Sequence, residues 1–315
     1  RLSLTATLLD LGSGQPLFER TYRQEERHWR AVAHTLADEV VLQLTGRRGI
    51  ARTRIAFVND ATGSKELCVV DYDGEGFKRL TSDGSIALLP RWRPGSAAVV
   101  FTSYRKGNPD LFELDLETAR LRVLLDRQGL NLAGGFSPDG SRLVVTQSRE
   151  RTPNVYLLDL AGGGMKALTS HFGVDSSPTF SPDGGQVAFV SDRSGNPEVH
   201  VLELSTGRTR RLTRMNWCDS PAWSPTGEWI AFAGRANLKD KVDLFLVDVT
   251  GSHLRQLTHG EGSNEDPSWS PDGRFLAFTS SRDGLRRLFV MDADGSAPRP
   301  VGDPPGGSFT PSWSQ

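Results

Sequence analysis

The chain has 315 residues, a formal net charge of −1 and 37% hydrophobic residues. That length accommodates one large all-β domain plus a small one, and near-neutral charge argues against a sequence-independent nucleic-acid binder, which carries a basic bias. No apolar run approaches the ~20 residues of a spanning helix, so no membrane span is expected.

The first strand is already under way at the first residue, with no initiator Met and no charged n-region ahead of an apolar h-region. The expectation is therefore a processed or truncated chain. "LSLTATLLD" and "LFERTYRQ" flank the turn-forming stretch Leu11–Pro16 and read as a hairpin. Trp29, Val32, Ala33, Leu36, Val40, Val41 and Leu44 then follow helical spacing, with Gly46 placed as a C-cap. Two strands and a helix bury little core alone. Residues 1–51 are thus predicted to be a partial small α+β domain, supported in part by the larger domain C-terminal to it.

From residue 52 the chain repeats. Aromatic landmarks fall at Trp92, Phe136, Phe180, Trp223, Trp269 and Trp313, spaced 44, 44, 43, 46 and 44 residues apart. A fixed period of this length is the signature of a propeller blade. Phe136, Phe180, Trp223 and Trp269 are each followed by Ser-Pro-Xaa-Gly, with Xaa Asp in three of the four. Ser, Pro and Gly suit the first, second and fourth positions of a type I turn, so the tetrad reads as a hairpin corner. Short apolar second strands follow at Ile55–Val58, Ala98–Thr102, Leu143–Thr146, Val187–Val190, Ile230–Ala233 and Leu276–Thr279. Third strands end in an acid ("LCVVD", "LFELD", "VYLLD"), and fourth strands read "KRLT", "KALT", "RRLT".

Six such units predict a mainly β fold, a six-bladed β-propeller over residues 52–315. The first unit begins at its second strand, "RIAFV", and the chain ends on an orphan first strand, "TPSWS". The C-terminal strand Thr310–Ser314 is therefore expected to complete the first blade and close the ring.

Little in the chain suggests chemistry. Cys68 and Cys218 are 150 positions apart and fall in different blades, which argues against a disulfide between them. The six histidines have no metal-ligand spacing, and HExxH, GxSxG and GxxxxGK[ST] are absent. The corners are not sialidase-type Asp boxes, because Gly follows Asp directly. Gly162–Gly164 reads as a turn.

The segments ahead of the inner strands vary from blade to blade: Asn131–Ala133, Asp175–Pro178, Cys218–Pro221, Asn264–Pro267 and Ser308–Pro311. We read them as loops ringing one mouth of the channel, where differing loops on a rigid scaffold carry binding. Asp175, Asp219, Glu265 and Asp266 are expected to converge there on a basic partner group, or on a calcium ion. The plainer alternative is that these acids cap turns. No other cofactor or metal is expected.

The segment Ala33–Val58, "AHTLADEVVLQLTGRRGIARTRIAFV", resembles the junction between helix and first blade in the TolB family, and "VVDYDGEGFKRLT" resembles that family's first blade. The resemblance covers essentially the whole chain and adds its own expectations. These are a non-catalytic, monomeric, periplasmic binding protein of the Tol–Pal envelope system, with the peptidoglycan-associated lipoprotein Pal as partner. TolA is implied as a second partner, through family sequence N-terminal to these residues. The family's N-terminal domain is longer than what stands here, and the Asn131 segment lacks the usual Pro. By motif position the Pal-binding mouth carries over to Asn131, Ala133, Asp175, Ser176, Asp219, Asn264, Glu265 and Asp266. The rival readings are a TolB-like scaffold with another protein partner, and the propeller domain of a peptidase or glycan-active enzyme.

Overall fold

In the computed structural model, which describes residues 1–148 and 152–315, six four-stranded antiparallel sheets form a propeller. Blades 1 to 6 have the inner strands Ser308–Trp313, Ala87–Trp92, Asn131–Phe136, Asp175–Phe180, Trp217–Trp223 and Asn264–Trp269. The second strands are apolar without alternation because neighbouring blades cover both of their faces. Phe57, Phe101, Phe189, Phe232 and Phe278 occupy one equivalent site in these strands and are fully buried. Each sits opposite a third-strand residue: Cys68, Phe112, His200, Phe245 and Phe289. Blade 3 uses Val145 opposite Tyr156.

The repeated tetrads have local structural causes. In the corners, Gly140, Gly184, Gly227 and Gly273 donate N–H to the carbonyls of Ser137, Ser181, Ser224 and Ser270 at 2.8–3.0 Å. Ser137 and Ser181 donate their hydroxyls to Asp139 and Asp183, both at 2.5 Å. The Ser137 hydroxyl, with hydrogen bonds from the Ser141 N–H and hydroxyl, holds the Asp139 carboxyl down at a pKa of about 2. The Thr that ends "RLT" is also structural. Thr213 accepts the N–H of Val199 at 3.0 Å and donates to Glu198 at 2.5 Å. Thr258 does the same for Leu244 and Asp243, at 2.9 and 2.7 Å. The third strand's leading acid is thereby satisfied inside the fold.

The ring closes at blade 1 with the predicted strand. Phe309 lies opposite Val58 and Trp313 opposite Ile55. The Trp313 indole N–H donates to Thr53 Oγ1 at 2.8 Å, and its backbone N–H to Ser268 Oγ of blade 6 at 2.9 Å. Cys68 and Cys218 are free, buried thiols in blades 1 and 5, with burial pushing each pKa up to about 12.

The N-terminal residues form the hairpin Leu2–Leu9 and Pro16–Gln24 and the helix Trp29–Thr45. Gly46 ends the helix in the left-handed region (φ 69°), returning its N–H to Leu42. Only Val32 of the helix is buried. Its hold on the propeller is polar: Arg30 donates to Asp73 at 2.8 Å and Asp71 at 3.2 Å, and His34 meets Asp73 at 3.0 Å. No helix among the described residues is long and apolar enough to cross a membrane. The two propeller faces therefore differ. One carries the Ser-Pro corners and the helix, and the other carries the connections that lead into each inner strand.

Candidate functional site at the channel mouth

The segments expected to be loops ahead of the inner strands are the first halves of those strands. The correction has a backbone cause. On blade 5, Asp219 pairs with Ala233 and Ala222 with Ala231, so the inner strand spends one residue more than its neighbour. This β-bulge recurs in all six inner strands. Leu89, Ser177, Ser220, Asp266 and Thr310 occupy it in the left-handed region, with φ between 47° and 56°. The Pro that follows each one has no N–H to offer, so it belongs where the ladder is interrupted. Blade 3 lacks the Pro and shifts its bulge one residue on. Gly134 lies there, where a Cβ would come within 2.4 Å of the Val144 carbonyl and 2.6 Å of the Pro178 carbonyl.

The bulge sorts the eight residues expected at the mouth. Asn131, Asp175 and Asn264 open their strands and are wholly buried between blades. Asn131 donates to the Pro109 carbonyl at 3.0 Å. Asp175 takes two hydrogen bonds from Arg193, both 2.9 Å. Asn264 accepts from Ser280 at 2.7 Å and donates to Asp243 at 3.2 Å. Ala133 is buried as well, and Ser176 is half-buried at the position after Asp175.

Asp219, Glu265 and Asp266 do come together. Ser177 donates to Asp219 at 2.8 Å, and Ser220 donates to Asp266 at 2.9 Å. Glu265 is paired with Arg286 at 2.6 Å. Burial raises the Asp219 pKa, against hydrogen bonds from Ser177 and the Ser220 N–H, and Glu265 adds repulsion. Burial likewise lifts Asp266 to about 6, with Asp219 and Glu265 repelling and Arg91 attracting. Thus three of the four acids lie near enough to repel one another, while Asp175 is committed to Arg193. Among the described residues, no three His, Cys, Asp or Glu side chains form a group that could hold a metal ion.

Sequence reading missed two features. The blade 2 counterpart, Ala87–Pro90, was not singled out, nor was the Arg91 that follows it into the channel. The second feature is a crown of apolar side chains on the connections around this mouth. Ile86, Phe172 and Val174 lie on connections into inner strands, and Leu238 and Leu285 lie between second and third strands. Phe172 is 86% exposed and Leu238 72%. Turn chemistry does not call for Phe between His171 and Gly173, and that misfit was the available signal. Beyond the acids the channel widens into a cavity of about 470 Å³ that opens toward the corner face.

A family model described as the TolB beta propeller domain matches residues 41–315. The protein TolB homolog of Chlorobaculum tepidum is 40% identical over 100 residues, 32% of this chain and 23% of that protein. The Tol-Pal system protein TolB of Desulfosudis oleivorans is 36% identical over 111 residues, 35% of this chain and 25% of that one. These matches span about a quarter of the curated relatives' length. The crystal structure of TolB from Acinetobacter baumannii superposes with a TM-score of 0.88 at 28% identity, over 99% of this chain and 79% of that one. With the family model running from within the helix to the last residue, over a propeller of the same architecture, the chain belongs to the TolB beta propeller family.

Proposed function

We propose that this protein is a non-catalytic, periplasmic component of a Tol–Pal system, and that it docks a Pal-like lipoprotein over the mouth bearing Asp219 and Glu265. The observation that carries this reading is the apolar crown. Ile86, Phe172, Leu238 and Leu285 stand exposed on separate connections around one mouth, on the face opposite the N-terminal helix. Several large apolar side chains exposed on one face mark a protein-binding surface. The relatives named as Tol-Pal system proteins supply the class of partner.

The test is calorimetric titration with the soluble domain of the Pal-like lipoprotein from the same organism. Phe172→Asp and Leu238→Asp should each weaken binding by about tenfold or more, as loss of an aromatic or aliphatic anchor does, at an unchanged melting temperature. Unchanged binding in both variants, or no binding by the parent protein, contradicts the reading.

A further inference from the structure

In a repeated scaffold the informative position is the one where a single blade departs from the others. The residue just before the aromatic that ends each inner strand lines the central cavity. Gly135, Thr179, Ala222, Ser268 and Ser312 are all small, and the sixth is Arg91. Its guanidinium donates to the carbonyl of Pro90 at 2.8 Å, which leaves most of its five N–H donors for the cavity. Burial lowers the Arg91 pKa, and Asp266 opposes that only through space. Asp266 is itself engaged by the Ser220 hydroxyl. A half-buried guanidinium without a hydrogen-bonded carboxylate is costly to keep. Nothing in the packing of blade 2 calls for it, since five blades manage with a small residue there.

The walls are mixed, with hydroxyl-bearing residues such as Thr179, Ser268 and Ser312 set among rigid rings. Trp92, Trp223, Trp269 and Trp313 line the cavity together with prolines that include Pro178 and Pro267. A volume of about 470 Å³ is that of a small-ligand site. A planar fork of donors suits a carboxylate, which it can grip through two parallel hydrogen bonds. The position of Asp266 restricts the charge of the occupant, because a dianion bound to Arg91 would also face that carboxylate.

We propose that the cavity binds a ligand bearing one carboxylate, of the kind presented by the free C-terminus of a short peptide entering from the corner face. Arg91 holds the carboxylate, and the mixed wall of rings and hydroxyl-bearing residues meets the rest of the peptide. This site lies on the other side of the acids from the apolar crown, so it stands or falls separately from the docking of a lipoprotein.

The probe is the acetylated tripeptide Pro-Leu-Leu with a free carboxylate, compared with its C-terminal amide. Binding to the full chain is read by quenching of tryptophan fluorescence and by calorimetry. The acid should bind saturably and at least about tenfold more tightly than the amide. Arg91→Gln should abolish that preference without lowering the melting temperature, and Asp266→Asn should leave it intact or enlarge it. Equal affinity for acid and amide, an acid preference that survives Arg91→Gln, or no saturable binding of either peptide overturns the proposal. Should Arg91→Gln fail to fold, the acid and amide titrations of the parent protein and of Asp266→Asn decide it.

Discussion

The hydroxyl of Ser220 in blade 5 donates to the carboxylate of Asp266 in blade 6 across 2.9 Å, and Ser177 of blade 4 does the same for Asp219 of blade 5. Each donor sits at the residue whose left-handed backbone makes the bulge. The bulge residue therefore supplies a hydroxyl to an acid of the next blade. Blades 4, 5 and 6 are thereby linked in series at the channel mouth.

Asp266 ties stability to pH. Its folded pKa, about 6, lies above the ordinary aspartate value of 3.8, so ionising it costs more in the folded protein than in the unfolded chain. The penalty is absent below pH ~4, grows as pH rises to ~6, and is constant above that. Asp266→Asn keeps an acceptor for Ser220 and removes the penalty. It should stabilise the protein by about 1–3 kcal/mol at pH 7 and by little at pH 4, measured by urea unfolding across that range. A stability difference that does not change with pH would contradict the assignment.

Asp175 and Glu265 should behave oppositely. Asp175 is wholly buried with both oxygens on Arg193 Nη2, so Asp175→Ala strands a guanidinium and should cost about 3–5 kcal/mol. Glu265 pairs with Arg286 in a partly exposed position, and Glu265→Ala should cost under about 1 kcal/mol. Denaturant midpoints at constant m-value separate the two. Equal losses would mean that the two acids share one role.

Closure of the ring rests on Trp313, 5% exposed and bonded to Thr53 of blade 1 and Ser268 of blade 6. Trp313→Ala should cost about 3–5 kcal/mol. Deleting Phe309–Gln315 should do more, since it leaves the edge of Arg54–Asn59 unpaired. A truncated protein that melts where the full chain does would mean that the ring is held elsewhere.

The architecture was legible because the repeat is written in residues whose job is local. Trp92 or Phe180 fixes the inner strand, Ser-Pro-Asp-Gly its corner and the orphan "TPSWS" its closure. The site was legible only in part. "VDSSP" and "CDSP" look equivalent, yet Asp175 stands three residues before its Pro and Asp219 two before its own. That offset places Asp175 between blades and Asp219 in the channel, because successive strand side chains point to opposite faces. The bulge itself gave no warning, since a residue before Pro favours an extended backbone while Ser177 and Ser220 are left-handed. Phe172 and Leu238 lie in connections with no period to compare; the Phe set between His171 and Gly173 was the one sequence signal for the first, and the exposure of Leu238 is a property of the folded surface.

Docking at the crown is tested most directly by hydrogen exchange on the complex with the Pal-like lipoprotein domain. Protection on binding should concentrate in the connections carrying Ile86, Phe172, Leu238 and Leu285 and in the inner-strand starts at Asp219 and Glu265. The Ser-Pro corners and the helix Trp29–Thr45 should exchange as they do in the free protein. Protection confined to the corner face or the helix, with the crown unchanged, would contradict docking at this mouth.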